Sequence, residues 1–490
     1  MPAFSSRLEL YSSLAKNRER LISDARRIGE GLAIPAELQG SIGTSGCNSS
    51  LPGTVRRDIL GNIEDGMMKV RPVKDLGDEI RLLVKSVYGD EYDAAPTNSC
   101  EAALLIAYET LFTPPSTGRG DAYRSRVVGL LERHAEHQLS YGRPFPPVYK
   151  DLFADRGATA GELGLLGRRL ENTDCVFVPM AGASYALHGI KFHPTPLLVG
   201  CDADATAKAA GEAARIHERD LTGFVSLGYD TPGYGYGAKA DDGTPLLLKH
   251  MGSLAKRHGL PYLCDNAWGM PFIGTDIRSI NADLMLYSMD KVTGAPTSGL
   301  IIGREWPMTS VRRALGIHSE RFGTTSSHGK AGFVLADPGK MSMLGMIAAL
   351  RVLRDEPERV TDPIDRTHAI VREEFDQLKN QLPDGIIITK SYNLGGVEIN
   401  YEQTWRGSSG NSTIGIPIFN LEDRIAGTQI FGHCLTAMGI LPGQAEDANI
   451  VINPGLGTTD QEGRLIPDRM RAVVKGVLQA LVLLHRYVRD

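Results

Sequence analysis

Between residues 170 and 303 the chain alternates short apolar runs with amphipathic stretches, and this rhythm narrows the fold more than any other feature. Residues 176–179, 196–200, 223–227, 262–264 and 284–287 read as strands, with helices over 206–218 and 246–258 between them. Runs this short and this apolar suit strands buried on both faces, and the helical stretches supply the cover. The expectation is an α/β fold: a mostly parallel sheet sandwiched by helices. In such sheets ligands bind beyond the carboxyl ends of the strands.

Two residues stand at such ends. Asp265 closes one apolar run; Lys291 follows another after a short turn and precedes a third, which ends at Gly303. A carboxylate at the end of a buried strand is costly unless paired. A cationic ring would pair it; an N-cap or an ion pair is the alternative. An amine set between two apolar strands suits a desolvated nucleophile. An aspartate for a pyridinium nitrogen and a lysine for a Schiff base are together what pyridoxal 5'-phosphate requires. Ala267 is small, as needed where a ring lies flat against the chain. Lys330, in a second Ser-x-x-Lys, is the rival lysine, but no comparable pair of apolar strands brackets it.

The phosphate needs a cradle. Thr97, Asn98, Ser99 and Cys100 stand immediately before an apolar helical run, where free N–H groups and the helix dipole favour an anion. The alternative is that these residues cap a helix. Ser288 can add a hydroxyl, and the turn containing Thr324 can reach a phosphate across a subunit boundary. The Gly/Ser-rich segment 40–53, with Ser45 and Asn48, reads as a surface loop or as a pocket wall.

Three regions are expected. Residues 1–74 form an amino-terminal arm, helical over 6–35, and a pocket segment. Residues 75–330 form a large cofactor-binding domain, opened by a helix over 75–88 and interrupted at about 114–174 by an insertion. Residues 331–490 form a smaller α+β domain with a helix over 341–354, strands near 386–389, 397–399 and 414–418, and a last helix over 468–487. At 490 residues the chain can bury a large core, and a net charge of −5 disfavours nucleic acid. The six cysteines lack metal-type spacing and read as reduced thiols, so no metal is expected. With no signal segment and no spanning run, the expected location is cytoplasmic, away from a membrane.

The stretches 283–303, 97–104 and 258–269, supported by 338–353 and 449–457, resemble fold-type I pyridoxal-phosphate enzymes, the aspartate aminotransferase superfamily. Within it the chain looks most like the bacterial selenocysteine synthase and glucosaminate-phosphate ammonia-lyase group. The resemblance runs from about residue 42 to the carboxyl end, outside 114–174. It implies that Lys291 carries the Schiff base and Asp265 pairs with the pyridinium nitrogen. It also implies that Asn98, Ser99, Cys100 and Ser288 hold phosphate, with Thr324 contributing from a neighbouring subunit, hence a homodimer or higher homo-oligomer. Where relatives stack an aromatic ring or histidine on the cofactor, this chain offers Tyr185 and His188, and packing is the alternative role for each. A tRNA substrate is disfavoured by the short arm and acidic balance.

The resemblance implies an amino-acid substrate deprotonated at Cα, then β- or γ-elimination or replacement; the insertion at about 114–174 adds a second substrate, with carbon–carbon bond formation, as a further outcome. Aminotransferase, aldolase and decarboxylase chemistries are the alternatives in the same fold, and a non-catalytic regulator is the alternative of another class. Arg71, Arg321 and Arg464 are candidates for the substrate carboxylate; a surface salt bridge is the alternative for each.

Overall fold

The computed structural model describes residues 13–44, 51–112, 126–130, 143–145, 168–169, 176–178, 191–192, 202–316, 334–401, 404, 429–443, 445–446 and 449–489. They divide into two compact units. One takes residues 58–290 and 295–355; the other takes the chain up to Arg57, the short piece Lys291–Gly294, and everything from Glu356.

The first of these is built on a seven-stranded sheet. Its strands are Tyr92–Thr97 (β1), Arg126–Leu130 (β2), Lys191–Phe192 (β3), Leu221–Leu227 (β4), Tyr262–Asp265 (β5), Leu284–Ser288 (β6) and Gly299–Arg304 (β7). Their spatial order is β1-β7-β6-β5-β4-β2-β3. β7 runs antiparallel to both neighbours, and every other pair is parallel. The mostly parallel α/β expectation therefore holds. β4, β5 and β6 are buried at every position, as their unbroken apolar runs require.

Local chemistry starts and stops the covering helices. Asp202 caps Ala203–Ile216 by accepting the Ala205 N–H at 2.9 Å. Leu246–His258 ends at Gly259, whose φ of 61° lets its N–H reach back to the last turn and sends the chain into β5. The connection from β6 to β7 is too short for a crossover helix, so β7 returns antiparallel.

Two expectations need correction. The segment 114–174 is not wholly an insertion, because β2 lies within it and sits inside the sheet between β4 and β3, with Val127 and Val128 fully buried. Conversely, Val176–Val178 is a strand but belongs to a separate antiparallel sheet with Arg143–Phe145 and Arg168–Arg169. A three-residue apolar run is compatible with either sheet; its hydrogen-bonding partners decide.

The other unit carries an antiparallel four-stranded sheet in the order Ile387–Ser391, Gly396–Asn400, Asn449–Ile452, Ala445–Glu446. Val397, Ile399, Ile450 and Ile452 share a core with Val371 of helix Glu358–Leu378 and Val473, Val477 and Leu481 of helix Pro467–Arg489. This is the expected smaller α+β region, and Ile42–Gly43 of the amino-terminal segment pairs in parallel with Ile440–Leu441. Helix Arg18–Glu30 lies within the helix expected over 6–35, and the strand expected near 414–418 lies outside the described residues.

The boundaries fall after Arg57 and Asp355, where the sequence reading placed them after 74 and 330. Helix Lys340–Asp355 explains the second shift. Gly345 lies against Pro296 and Ile63, Lys340 Nζ donates to the Lys69 carbonyl at 2.7 Å, and Arg351 pairs with Glu79 at 2.5 Å. Among the described residues no helix is long and apolar enough to cross a membrane.

Asp93 of β1 is fully buried. Arg81 of helix Val73–Tyr88 donates to both its carboxylate oxygens, at 2.8 and 3.0 Å, and Arg312 of helix Glu305–Ala314 closes the cluster. Burial pushes this carboxyl up, but the Arg81 hydrogen bonds, the Ala94 N–H and the Arg312 charge outweigh it, leaving Asp93 below the usual carboxylate range. A depressed folded-state value stabilises the protein above the unfolded carboxyl value, and that contribution fades as pH falls through the folded one. Asp93→Asn should therefore lose about 3 kcal/mol at neutral pH in urea unfolding, and its gap from wild type should shrink in acid below the ordinary carboxylate range.

Candidate active site

The parallel register of β5 and β6 sets Asp265 beside Leu286. Past the ladder the strand ends stay tied together. Asn266 N–H donates to the Leu286 carbonyl at 3.0 Å, Ser288 N–H to the Ala267 carbonyl at 3.3 Å, and Gly228 N–H to the Asp265 carbonyl at 2.6 Å. Asp265 is 7% exposed, and its Oδ1 accepts the Ala267 N–H at 3.1 Å. The cap-like turn weighed for Asp265 is thus present.

Next along the chain, Ser288 Oγ donates to Asp290 Oδ1 at 2.5 Å. Asp290 is 2% exposed, and its Oδ2 has no hydrogen-bond partner among the described residues. Sequence reasoning missed Asp290 because it reads as an ordinary turn acid beside the lysine. The Ser288 hydroxyl, expected at a phosphate, has its one proton on Asp290 here.

The Thr97–Cys100 segment opens helix Cys100–Leu111. Ser99 is its N-cap, accepting the Ala102 N–H at 3.2 Å. Asn98 is anchored by its N–H to the Ala336 carbonyl and by Nδ2 to the Leu335 carbonyl, at 2.8 and 2.7 Å. Thr97 Oγ1 donates to the Ser99 carbonyl at 2.8 Å. Ser99 therefore does the capping work weighed as the alternative, while the positive end of the helix remains directed along its axis. Gly299 at the start of β7 lies against this segment: a Cβ there would collide with the Ser99 carbonyl oxygen and Thr97 Oγ1.

Lys291 is half-buried and lines a small cavity. Gly53, Thr54, Arg56, Arg359 and Gly455 line it too. Arg56 is 6% exposed and its Nη1 donates to the Thr293 carbonyl at 3.2 Å, on the turn that carries Lys291. The segment 40–53 thus supplies a pocket wall through its last residue, whereas Ser45 and Asn48 lie outside the described residues.

Neither Arg71 nor Arg464 is among the lining residues. Arg71 pairs with Glu79, and Arg464 is 75% exposed and held by Asp460 at 2.8 Å and Glu462 at 3.2 Å. Both occupy the surface salt bridges weighed as their alternative, and the arginines among the described lining residues are Arg56 and Arg359, which no sequence motif marked. Tyr185, His188, Arg321, Thr324 and Lys330 lie outside the described residues.

No protein-family model matches the chain, and no curated protein does. Solved structures do. D-glucosaminate-6-phosphate ammonia-lyase matches at 14% identity and a TM-score of 0.46, over 93% of this chain and 98% of that one. The SepCysS–SepCysE N-terminal domain complex matches at 12% and 0.47, over 91% and 95%. An ornithine aminotransferase from Toxoplasma gondii, with partial occupancy of PLP at its active site, matches at 12% and 0.48, over 89% and 84%. At these values the likeness assigns neither family nor activity to this chain.

Gly299→Ala forces the Thr97–Ser99 backbone away from β7, since the colliding atoms are main chain and a neighbouring hydroxyl rather than a flexible tip. It should cost about 1–3 kcal/mol in chemical denaturation and speed amide exchange at the start of helix Cys100–Leu111. Unchanged stability and exchange would show that the close approach is dispensable.

Proposed function

We propose that the protein is a pyridoxal 5'-phosphate-dependent enzyme acting on an amino acid, with Lys291 as the covalent anchor and Asp265 as the partner of the ring nitrogen. The observation that carries this reading is the strand-end cluster. Asp265 is buried and register-locked beside β6, and Asp290 keeps a buried oxygen without a partner among the described residues. Such a set of acceptors suits a group that brings a ring N–H and positive charge, so the residues present fit the cofactor.

Asn98, Ser99, Cys100 and Ser288 would hold the phosphate, aided by the dipole of helix Cys100–Leu111. Ala267 would leave room for the ring. In a homo-oligomer, Thr324 of a neighbouring copy would complete the cradle. Bound there, the cofactor supplies an electron sink for negative charge at the substrate's Cα.

The chain's own residues do the rest. Lys291 Nζ takes and returns the Cα proton. Asp265 keeps its carboxylate on the ring nitrogen. The cavity walls orient the substrate and limit water around Nζ. Loss of the Cα proton leads to β- or γ-elimination or replacement, which is the preferred outcome on the sequence resemblance.

Purified with the cofactor, the protein should be yellow, and Lys291→Ala should lose that colour. Asp265→Ala should stay coloured while turnover falls on the order of 100-fold or more. Elimination should release keto acid and ammonia with no added keto-acid acceptor, whereas strict dependence on an acceptor would move the assignment to transamination. A colourless protein that takes up no cofactor would end the proposal.

A further inference from the structure

We infer that an exposed apolar patch at the end of helix Arg57–Met67 is where a second copy of this chain docks, related to the first by a two-fold axis. This names a contact for the homo-oligomer invoked above, and it draws on residues outside the candidate active site.

Helix Arg57–Met67 buries one face and leaves another open. Ile59 and Ile63 are buried, and Gly66, on the same face, lies against Leu344 of helix Lys340–Asp355. Leu60, Glu64 and Met67 share the neighbouring face, and all three are exposed. Met68 follows at 85% exposure, and Val70 is fully exposed. Exposed Met341 joins them, because Lys340 Nζ donates to the Lys69 carbonyl at 2.7 Å and so holds the start of its helix beside this segment. Single exposed apolar residues are ordinary on a protein surface. Leu60, Met67, Met68, Val70 and Met341 gathered about one helix end mark an interaction surface.

Charge says what covers it. Glu64 stands on the apolar face and Lys69 just past the helix end; both are exposed, and neither has an ion pair among the described residues. Opposite charges on either side of Met67 make the patch complementary to itself. A two-fold axis passing beside Met67 would set Glu64 of each copy against Lys69 of the other and bring the methionines together at the centre. An apolar centre with a charged rim is the anatomy of a stable interface, and unbranched Met side chains adapt to one another. A strongly acidic or strongly basic partner would instead meet one of the two residues with like charge.

The test is the oligomeric state of the full-length protein, followed by sedimentation velocity across a range of concentrations. Wild type should dimerise. Met68→Glu/Val70→Glu, at two exposed positions, should raise the dissociation constant at least about 100-fold while the circular-dichroism melting curve stays in place. Glu64→Lys and Lys69→Glu should each weaken the dimer about fivefold, and the double reversal Glu64→Lys/Lys69→Glu should restore it. If Met68→Glu/Val70→Glu fails to fold, the charge reversals carry the test alone. A wild-type protein that stays monomeric, a dimer indifferent to these substitutions, or single losses without rescue in the double reversal would overturn the inference. Failure of the cofactor reading would show separately, as absence of colour on adding pyridoxal phosphate.

Discussion

The parallel register between Tyr262–Asp265 and Leu284–Ser288 is the constraint on which the candidate site depends. Leu263 faces Leu284 and Asp265 faces Leu286, and a slip by one residue would exchange the faces of every side chain in the strand. Both strands are buried on both faces, so packing on either side resists such a slip. Beyond the ladder, Met289 N–H donates to the Ser298 carbonyl and Ala295 N–H to the Met289 carbonyl. The turn after Ser288 is thereby closed at both ends before the chain returns antiparallel as Gly299–Arg304. Lys291 is an element of that closed turn, not of a loose loop.

Buried carboxylates in this protein fall into two kinds. Asp93 is surrounded by two arginines and a backbone N–H, an arrangement that completes itself and serves stability. Asp290 is held by one serine hydroxyl and keeps an oxygen without a partner among the described residues. A buried acceptor left in that state costs free energy, and such costs concentrate at functional sites. The arginines differ in burial. Arg71 and Arg464 neutralise nearby acids at the surface, whereas Arg56 is buried against the cavity that Lys291 shares.

Much of this was legible in the sequence. The unbroken apolar runs ending at Asp265 and before Lys291 announced buried parallel strands, and helix Leu246–His258 matched its expected bounds because Gly259 marks its end. The smaller antiparallel region was likewise visible in its strand runs. Arg126–Leu130 escaped because a short Val-Val run beside polar and glycine-rich sequence carries no periodicity, and only pairing with Leu221–Leu227 makes it a strand. Arg56 and Asp290 escaped for a related reason. Local sequence shows a charged residue's type but not its burial, which comes from distant partners such as Thr293 and Gly463 for Arg56. The hydroxyls of Ser99 and Ser288 read in the sequence as candidate phosphate ligands, whereas their hydrogen bonds to Ala102 and Asp290 depend on geometry that composition does not encode.

The central claim is that one lysine, in the turn after Leu284–Ser288, anchors the cofactor. The most direct measurement is borohydride reduction of the coloured protein followed by proteolysis and peptide mass mapping. A single pyridoxyl-phosphate adduct on Lys291 is the expected result. An adduct on Lys330 instead, or no adduct on a protein that binds the cofactor, would contradict it.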